Sequence, residues 1–387
     1  MYRYQHKFFE KEGIYIAGPE CFYTGGFHML KAMRVRAESL GFGVTLPNDN
    51  PLDMDNPDKQ KRADSIFADL KEDMDKTTVI IADLEAYRGA EADSGTIYEI
   101  GMAYAKGARC YGYTRDKRSL ATKNQQAVLK DGVVYDERGN RMPYAQLPFA
   151  PSVIGSTKIV EGDFDDCLKM LMTDIEEEQK YQAYSANHSR VQLEVQCKTV
   201  VNPSRIVAES KMQRPLIYLS GFERYEADGA AAYERMKRIC RSYGYEAVSP
   251  LDQAPGVDKI DTDNPYVWAA NVFDNYQEQV RNCDIIIANL NDYRGYEINN
   301  DVGFECGMGF QLGKRLYGYM DHTDKLINRI PHLGAEEGYR DQTGSNVEDF
   351  DYPANLMFAC SMKIFEGAFE EIIEKVIKDL EVEEERS

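Results

Sequence analysis

Residues 83–102 read DLEAYRGAEADSGTIYEIGM, and residues 289–308 read NLNDYRGYEINNDVGFECGM. At a constant offset of 206, without a gap, 8 of these 20 positions are identical. The same offset carries Tyr111-Gly112-Tyr113 onto Tyr317-Gly318-Tyr319. Nearer the start, an offset of 203 carries Ile14-Tyr15 onto Ile217-Tyr218, Gly18 onto Gly221 and Pro47 onto Pro250. Three extra residues around 253–263 account for the change. Solenoid repeats have periods of about 20–50 residues. This repeat is far longer and marks two copies of one domain. We expect the first copy over 1–185, a polar linker over 186–214 and the second copy over 215–387.

Each copy alternates strand and helix patterns. GIYIAG (13–18) is a short apolar run ending in glycine, the form of a buried parallel strand. Phe27, Leu30, Met33, Ala37 and Leu40 recur at helical spacing before Gly41. VTLP (44–47) predicts a second strand, 64–77 a helix, TTVIIADL (77–84) a third strand and Ser94–Lys106 a helix. RCYGYT (109–114) and TKIV (157–160) predict two more strands, followed by an acidic helix over 164–180. Copy two repeats the pattern, with strands at 216–221, 246–250, 284–290, 315–320 and 362–365. The expected fold is two doubly wound, Rossmann-like domains, each with a five-stranded parallel sheet, paired as a pseudo-dimer.

Composition narrows the function classes. With 46 Lys and Arg against 65 Asp and Glu, the formal charge is −19. That disfavours a nucleic-acid partner, which needs a basic face, and an anionic membrane surface. No run of 18 apolar residues exists, and the N-terminus has no apolar signal core. The eight cysteines and five histidines show no metal spacing, so reduced thiols, no metal, no cofactor and a cytoplasmic location are expected.

In open α/β sheets, ligands bind beyond the carboxyl ends of the strands. In copy one these ends carry Gly18-Pro19-Glu20, then Pro47-Asn48-Asp49-Asn50, then Tyr87–Ser94. Asp93 precedes a helix and Glu99 lies in its early turns, so both carboxylates can face one cleft. A helix N-terminus favours the ionised form, which a carboxylate nucleophile requires. The alternative is plain capping by Asp93 and Ser94, with Glu99 in a capping-box contact. Glu305 repeats Glu99, but Asn299 replaces Asp93. Asn caps as well as Asp, so the change removes charge and not a cap.

IYIAGP, VIIADL and DSGTIYEIGMAYAKG together resemble the nucleoside 2-deoxyribosyltransferases, across both copies. The resemblance implies a glutamate that attacks C1′ of a 2′-deoxynucleoside, a covalent deoxyribosyl-enzyme, and capture by a second base with retention. Its substrates are a nucleoside and a free nucleobase. The nucleophile maps onto Glu99, the sugar-orienting aspartate onto Asp93 and the first-strand tyrosine onto Tyr15, with Gly18 and Asp49 as substrate-binding candidates. A carboxylate pair of this kind parallels the retaining glycosidases. The family's base-contacting aspartate has no counterpart here: Leu70 stands in copy one and Tyr276 in copy two, with Asp69 and Asp73 as neighbours and Glu20 as a further candidate.

The family completes each site with an Asn-Leu-Met segment from a neighbouring subunit. Copy two has it as Asn355-Leu356-Met357, whereas copy one, aligned at an offset of 205, has Ala150 and Ser152. The losses are complementary. One complete site would combine Tyr15, Asp93 and Glu99 with Asn355 and Met357, and the other should be dead or altered. The competing functions are a nucleoside or nucleoside-monophosphate hydrolase and a non-catalytic nucleotide sensor. Assembly into a larger homo-oligomer is open. The Arg88-Gly89 and Arg294-Gly295 pairs read either as a phosphate clamp or as loop-ordering ion pairs to Glu91 or Glu297. Trp268 reads as packing, His28 as helix surface, residues 131–140 as a surface hairpin and Glu381–Glu385 as a solvated helix end.

Overall fold

The computed structural model describes residues 12–188 and 215–384, apart from 48, 50, 51, 125, 137, 138, 140, 336 and 337. Residues 189–214 of the expected linker, Asn48, Asn50, His6, Cys197 and Glu385 lie outside the described residues.

Copy one contains β1 (Gly13–Ala17), β2 (Gly43–Thr45), β3 (Val79–Asp83), β4 (Arg109–Thr114) and β5 (Lys158–Glu161), ordered β2-β1-β3-β4-β5 and all parallel. Copy two contains β6 (Ile217–Ser220), β7 (Ala247–Val248), β8 (Ile285–Asn289), β9 (Arg315–Met320) and β10 (Lys363–Glu366), in the same order. The central strands β3 and β8 are buried along their whole length, as their continuous Val/Ile runs require. The order reverses between β1 and β3, and this switch point opens the crevice in which ligands bind.

Helices α1 (Gly26–Ser39), α2 (Lys59–Lys76), α3 (Ser94–Ala105) and α4 (Phe164–His188) cover the first sheet. The second carries α5 (Gly229–Ser242), α6 (Pro265–Asn282), α7 (Asn300–Gln311) and α8 (Phe369–Glu384). Helix α2 starts earlier than its apolar pattern predicts, because Asp58 caps it through the Gln60 amide. The apolar face of α1 is one residue narrower than expected. Leu30, Met33 and Ala37 are buried, while Phe27 is exposed and lines a cleft. The expected hairpin is also shifted. Its strands are Val128–Lys130 and Val133–Tyr135, and Asp131-Gly132 forms the turn with both φ positive. Trp268 packs beside Tyr144, Leu147 and Ala269, and His28 is exposed on α1.

Among the described residues three large apolar cores result, with two smaller clusters beside them. One lies under α1 and α4, one under α5 and α8, and the largest is shared between the copies. Its axis is the crossing of α3 and α7. A Cβ at Gly101 would overlap the Phe304 carbonyl oxygen, and one at Gly307 would overlap the Tyr98 carbonyl oxygen. The helices therefore meet backbone to backbone. Edge-to-face pairs flank the crossing, Phe67 with Phe310 at 5.2 Å and Tyr98 with Phe358 at 5.2 Å. At the loops, Gly89 bridges Gly295, and the two arginines cross over. Arg88 binds Asp341 at 2.9 Å, and Arg294 binds Glu91 at 3.2 Å. The Arg-Gly pairs are thus ion pairs that clamp one copy to the other, buried on both sides.

Because the obstacle at the crossing is backbone, a side chain cannot be accommodated by a rotamer change. Gly101→Val or Gly307→Val is expected to lower stability by about 3 kcal/mol, measured by denaturant unfolding. A loss below roughly 0.5 kcal/mol, the level of an ordinary surface substitution, would show that the crossing does not hold the copies together.

Candidate active site

A cleft of about 450 Å³ opens beyond β1 and β3, and both copies line it. From copy one come Gly18, Cys21, Phe27 and Pro47, the α2 stripe Arg62, Ile66 and Leu70, and Asp93, Gly95, Thr96 and Glu99 at the start of α3. From copy two come Tyr339, Asn346 to Phe350, and Asn355-Leu356-Met357. The α2 wall presents Ile66 and Leu70 beside the cations Lys59 and Arg62, and carboxyl groups of Asp93, Glu99, Glu348 and Asp349 line the cleft as well.

Glu99 is 8% exposed. Its Oε1 accepts a hydrogen bond of 2.8 Å from the Tyr15 hydroxyl, which β1 holds fully buried below the cleft. Asp93 caps α3: its Oδ2 accepts from the Thr96 amide at 2.7 Å and the Thr96 hydroxyl at 2.6 Å. Its Oδ1 is buried without a partner. Capping therefore explains one oxygen of Asp93 and nothing of Glu99, which turns to Tyr15 and not back to the helix start. Ser94 does not cap either. Its amide and hydroxyl bind Glu297 of copy two, at 3.1 and 2.5 Å.

The structure corrects one electrostatic expectation. The helix N-terminus does not hold the Glu99 carboxyl in the usual carboxylate range. Burial pushes its carboxyl up to about 8, and the charge on Asp93 adds to the rise, against the opposing hydrogen bond from Tyr15. Glu99 is the sixth residue of α3, beyond the turn in which the dipole acts strongly. Burial raises Asp93 as well, although its hydrogen bonds with Thr96 oppose this.

The structure gathers most of the expected residues. Asn355 from copy two lies against α3, its Nδ2 2.9 Å from where a Gly95 Cβ would stand, so a side chain at position 95 would displace it. Met357 and Gly18 line the same cleft, and a Cβ at Gly18 would overlap the Glu20 carboxylate packed behind it. Asp49 does not line the cleft. Arg34 captures its carboxylate, and the Leu46 amide donates to it at 3.0 Å. Glu20 is buried beneath the floor, accepting from the Tyr113 hydroxyl at 2.6 Å. Asp69 and Asp73 also lie off the cleft, so the α2 wall presents Leu70 and no carboxylate.

Copy two's equivalent site is filled from within. Arg224, which the offset of 203 places at Cys21, donates to both oxygens of Glu305, at 2.6 and 2.7 Å. Tyr218 and Ser220 donate to the same carboxylate, at 2.8 and 2.5 Å. The guanidinium lies 4.4 Å from the centroid of the Tyr276 ring, which stands where Leu70 leaves space in copy one. Asn299 still caps α7 through the Asp301 and Val302 amides, as expected for a cap that has lost its charge. Arg224 is the residue that sequence reasoning missed. The pairing of Cys21 with Arg224 was its visible sign.

Among the described residues no cluster of His, Cys, Asp or Glu is arranged to hold a metal, and no helix is long and apolar enough to cross a membrane. A profile of the family described as nucleoside 2-deoxyribosyltransferase matches residues 14–144 and 217–357. Among solved structures, a 2-desoxiribosyltransferase from Leishmania mexicana is similar at 25% identity, covering 41% of this chain and 97% of its own, with a TM-score of 0.33. A 2-deoxyribosyltransferase from the psychrotolerant bacterium Bacillus psychrosaccharolyticus is similar at 18% identity, covering 41% and 89%, with a TM-score of 0.27. No curated protein matches the chain.

Burial of so many carboxyl groups has a cost that depends on pH. Besides Glu99, burial pushes Asp83 and Glu297 up to about 8 and Glu348 up to about 7. A carboxyl raised on folding holds its proton more tightly in the folded state, so the folded state binds more protons than the unfolded one between the two pKa values. Stability is then fullest near the unfolded value and falls as pH rises toward the folded one. The melting temperature should therefore drop steadily from pH 5 to pH 8, and Glu99→Gln should reduce that drop. A melting temperature that rises over this interval contradicts the burial of these groups.

Proposed function

The chain belongs to the nucleoside 2-deoxyribosyltransferase family, a group of glycosyl-transfer enzymes, and from that premise we propose that it moves 2-deoxyribose between nucleobases through a covalent intermediate on Glu99. The observation that carries this reading is the contrast between two glutamates at equivalent positions. Glu99 faces an open cleft with one hydrogen bond from Tyr15, while Glu305 is tied to an internal arginine. Only the first is free to form a bond.

In the proposed reaction the deoxynucleoside lies with its base against the α2 wall and its sugar against the carboxyl groups. Ionised Glu99 attacks C1′ as the bond to the base nitrogen breaks. The electron pair of that bond leaves with the base, which takes up a proton. A carboxylate ester of the sugar remains on Glu99. A second base then attacks C1′ from the side its predecessor left, the ester bond breaks, and configuration is retained. Tyr15 aligns the Glu99 carboxylate and shares its charge in the ground state. Asp93 Oδ1 and Asn355 hold the sugar, and Met357 and Leu70 exclude water from C1′. Two copies of one fold, joined in one chain, thus supply the two halves of one site.

Incubating the protein with a 2′-deoxynucleoside and a second free base tests the activity: a new nucleoside is expected, free deoxyribose would indicate hydrolysis, and no change would contradict both. Glu99→Ala should lower kcat by roughly four orders of magnitude or more, the scale of losing a nucleophile. Glu305→Ala and Asn299→Ala should leave kcat within about twofold, since they act only on the occupied site. Equal losses from Glu99→Ala and Glu305→Ala would contradict the assignment. Because attack requires the ionised form and burial places Glu99 near 8, kcat/KM should climb from pH 6 through pH 8 and level above about pH 9. A rate already level at pH 6 would place the ionisation elsewhere.

A further inference from the structure

Arg62, Ile66 and Leu70 stand four residues apart on α2, so they share one face, and all three line the cleft. Leu70 is buried, while Ile66 and Arg62 are half-buried. The stripe thus runs from the floor of the cleft toward its mouth and ends on a guanidinium. Among the described residues Arg62 has no carboxylate partner; its Nε donates to the Asn56 carbonyl, and its two Nη groups have no hydrogen-bond acceptor. Lys59, the neighbouring cation on this wall, is engaged by Asp349 at 2.6 Å, with Asp351 3.8 Å away. Asp349, the carboxylate that reaches α2, is spent on that contact. Asp93 and Glu99 belong to α3, and Glu348 lies beside the Leu356 amide of copy two.

The repeat supplies a contrast. The offset of 206 carries Arg62 onto Trp268, Ile66 onto Val272 and Leu70 onto Tyr276. Trp268 packs into an apolar cluster, and the guanidinium of copy two's crevice, Arg224, sits on the glutamate itself. The open crevice reverses this arrangement. Its glutamate has no cation, and its cation stands on a different helix of the same cavity.

The stripe has a definite chemistry. A planar ring lying on Ile66 and Leu70, with its glycosidic nitrogen toward Glu99, turns its outer edge to Arg62. A guanidinium donates and cannot accept. A 6-oxopurine offers O6 and N7 as acceptors on that edge, and a 4-oxopyrimidine offers O4. The amino bases place an N–H donor where those oxygens stand. As the bond from C1′ to the base nitrogen breaks, its electron pair spreads over the ring to the exocyclic oxygen. A donor aimed there gains strength as the charge develops. The ring nitrogen then takes its proton from water.

We propose that Arg62 selects the base: its guanidinium donates to the acceptor atoms of an oxo base, favours such bases over amino bases, and stabilises them as they depart. This assignment rests on the deoxyribosyl-transfer reading.

The test uses the full chain with two pairs of donors, 2′-deoxyinosine against 2′-deoxyadenosine and thymidine against 2′-deoxycytidine, each with one common acceptor base. In each pair that reacts, the wild type should show a kcat/KM about tenfold or more higher for the oxo member, the scale of one mismatched donor. Arg62→Gln should lower kcat/KM about 30-fold for the oxo donors and less than about threefold for the amino donors, so the preference collapses. Arg62→Lys, which keeps the charge and loses the planar fork, should fall between the two. Guanidinium ion added at millimolar concentration should restore Arg62→Ala with the oxo donors and not with the amino donors. A packing defect from the lost Asn56 contact would lower both members of a pair alike; an unchanged ratio in Arg62→Gln therefore overturns the role of Arg62. Base exchange by the wild type without preference for the oxo member overturns it as well, and both outcomes leave the transfer reading standing. No exchange with any of these donors overturns the transfer reading, and the role of Arg62 with it.

Discussion

The backbone contact between α3 and α7 is the constraint on which the remaining geometry depends. Glycines at 101 and 307 let two helices approach more closely than side chains would allow. That approach seats Asn355 against Gly95 and brings Glu348 and Met357 to the mouth of copy one's crevice. It also buries the loop arginines, whose partners lie on the opposite copy. Neither copy could close a cleft over Glu99 alone, because the closing wall that includes Tyr339 to Met357 begins some 240 residues further along the chain.

The repeat offers two equivalent positions for one site, and one residue separates them. A carboxylate buried at Glu305 without a cation would be costly. Arg224 neutralises it with two charge-assisted hydrogen bonds and fills the space a ligand would need. The result is a stable core where copy one keeps a cavity. Copy one accepts the opposite compromise. Its Glu99 and Asp93 remain buried without a cation bound to them, which burdens stability wherever their carboxyl groups ionise.

Much of the fold was legible because parallel strands write themselves as short apolar runs, and the repeat allowed each copy to check the other. Strands β4 and β9 fall on the predicted residues. The end of α1 was legible at Gly41, but its apolar face was misjudged at Phe27, since helical spacing does not show whether a residue meets the core or a cavity. In the site, Tyr15, Asp93 and Glu99 were readable from local context and a family resemblance. The ionisation of Glu99 was not, because it depends on burial by residues distant in sequence. Asp49 looked free beyond β2, yet Arg34 on α1 claims its carboxylate. Arg224 was hidden in plain view, opposite a cysteine that carries no obvious chemistry.

The proposed function places covalent chemistry at Glu99 and not at Glu305. Rapid acid quenching of the protein with a 2′-deoxynucleoside, followed by mass spectrometry of the intact chain and its peptides, measures this directly. One deoxyribosyl group per chain is expected, on the peptide containing Glu99. Two groups per chain, or a group on the peptide containing Glu305, would contradict it.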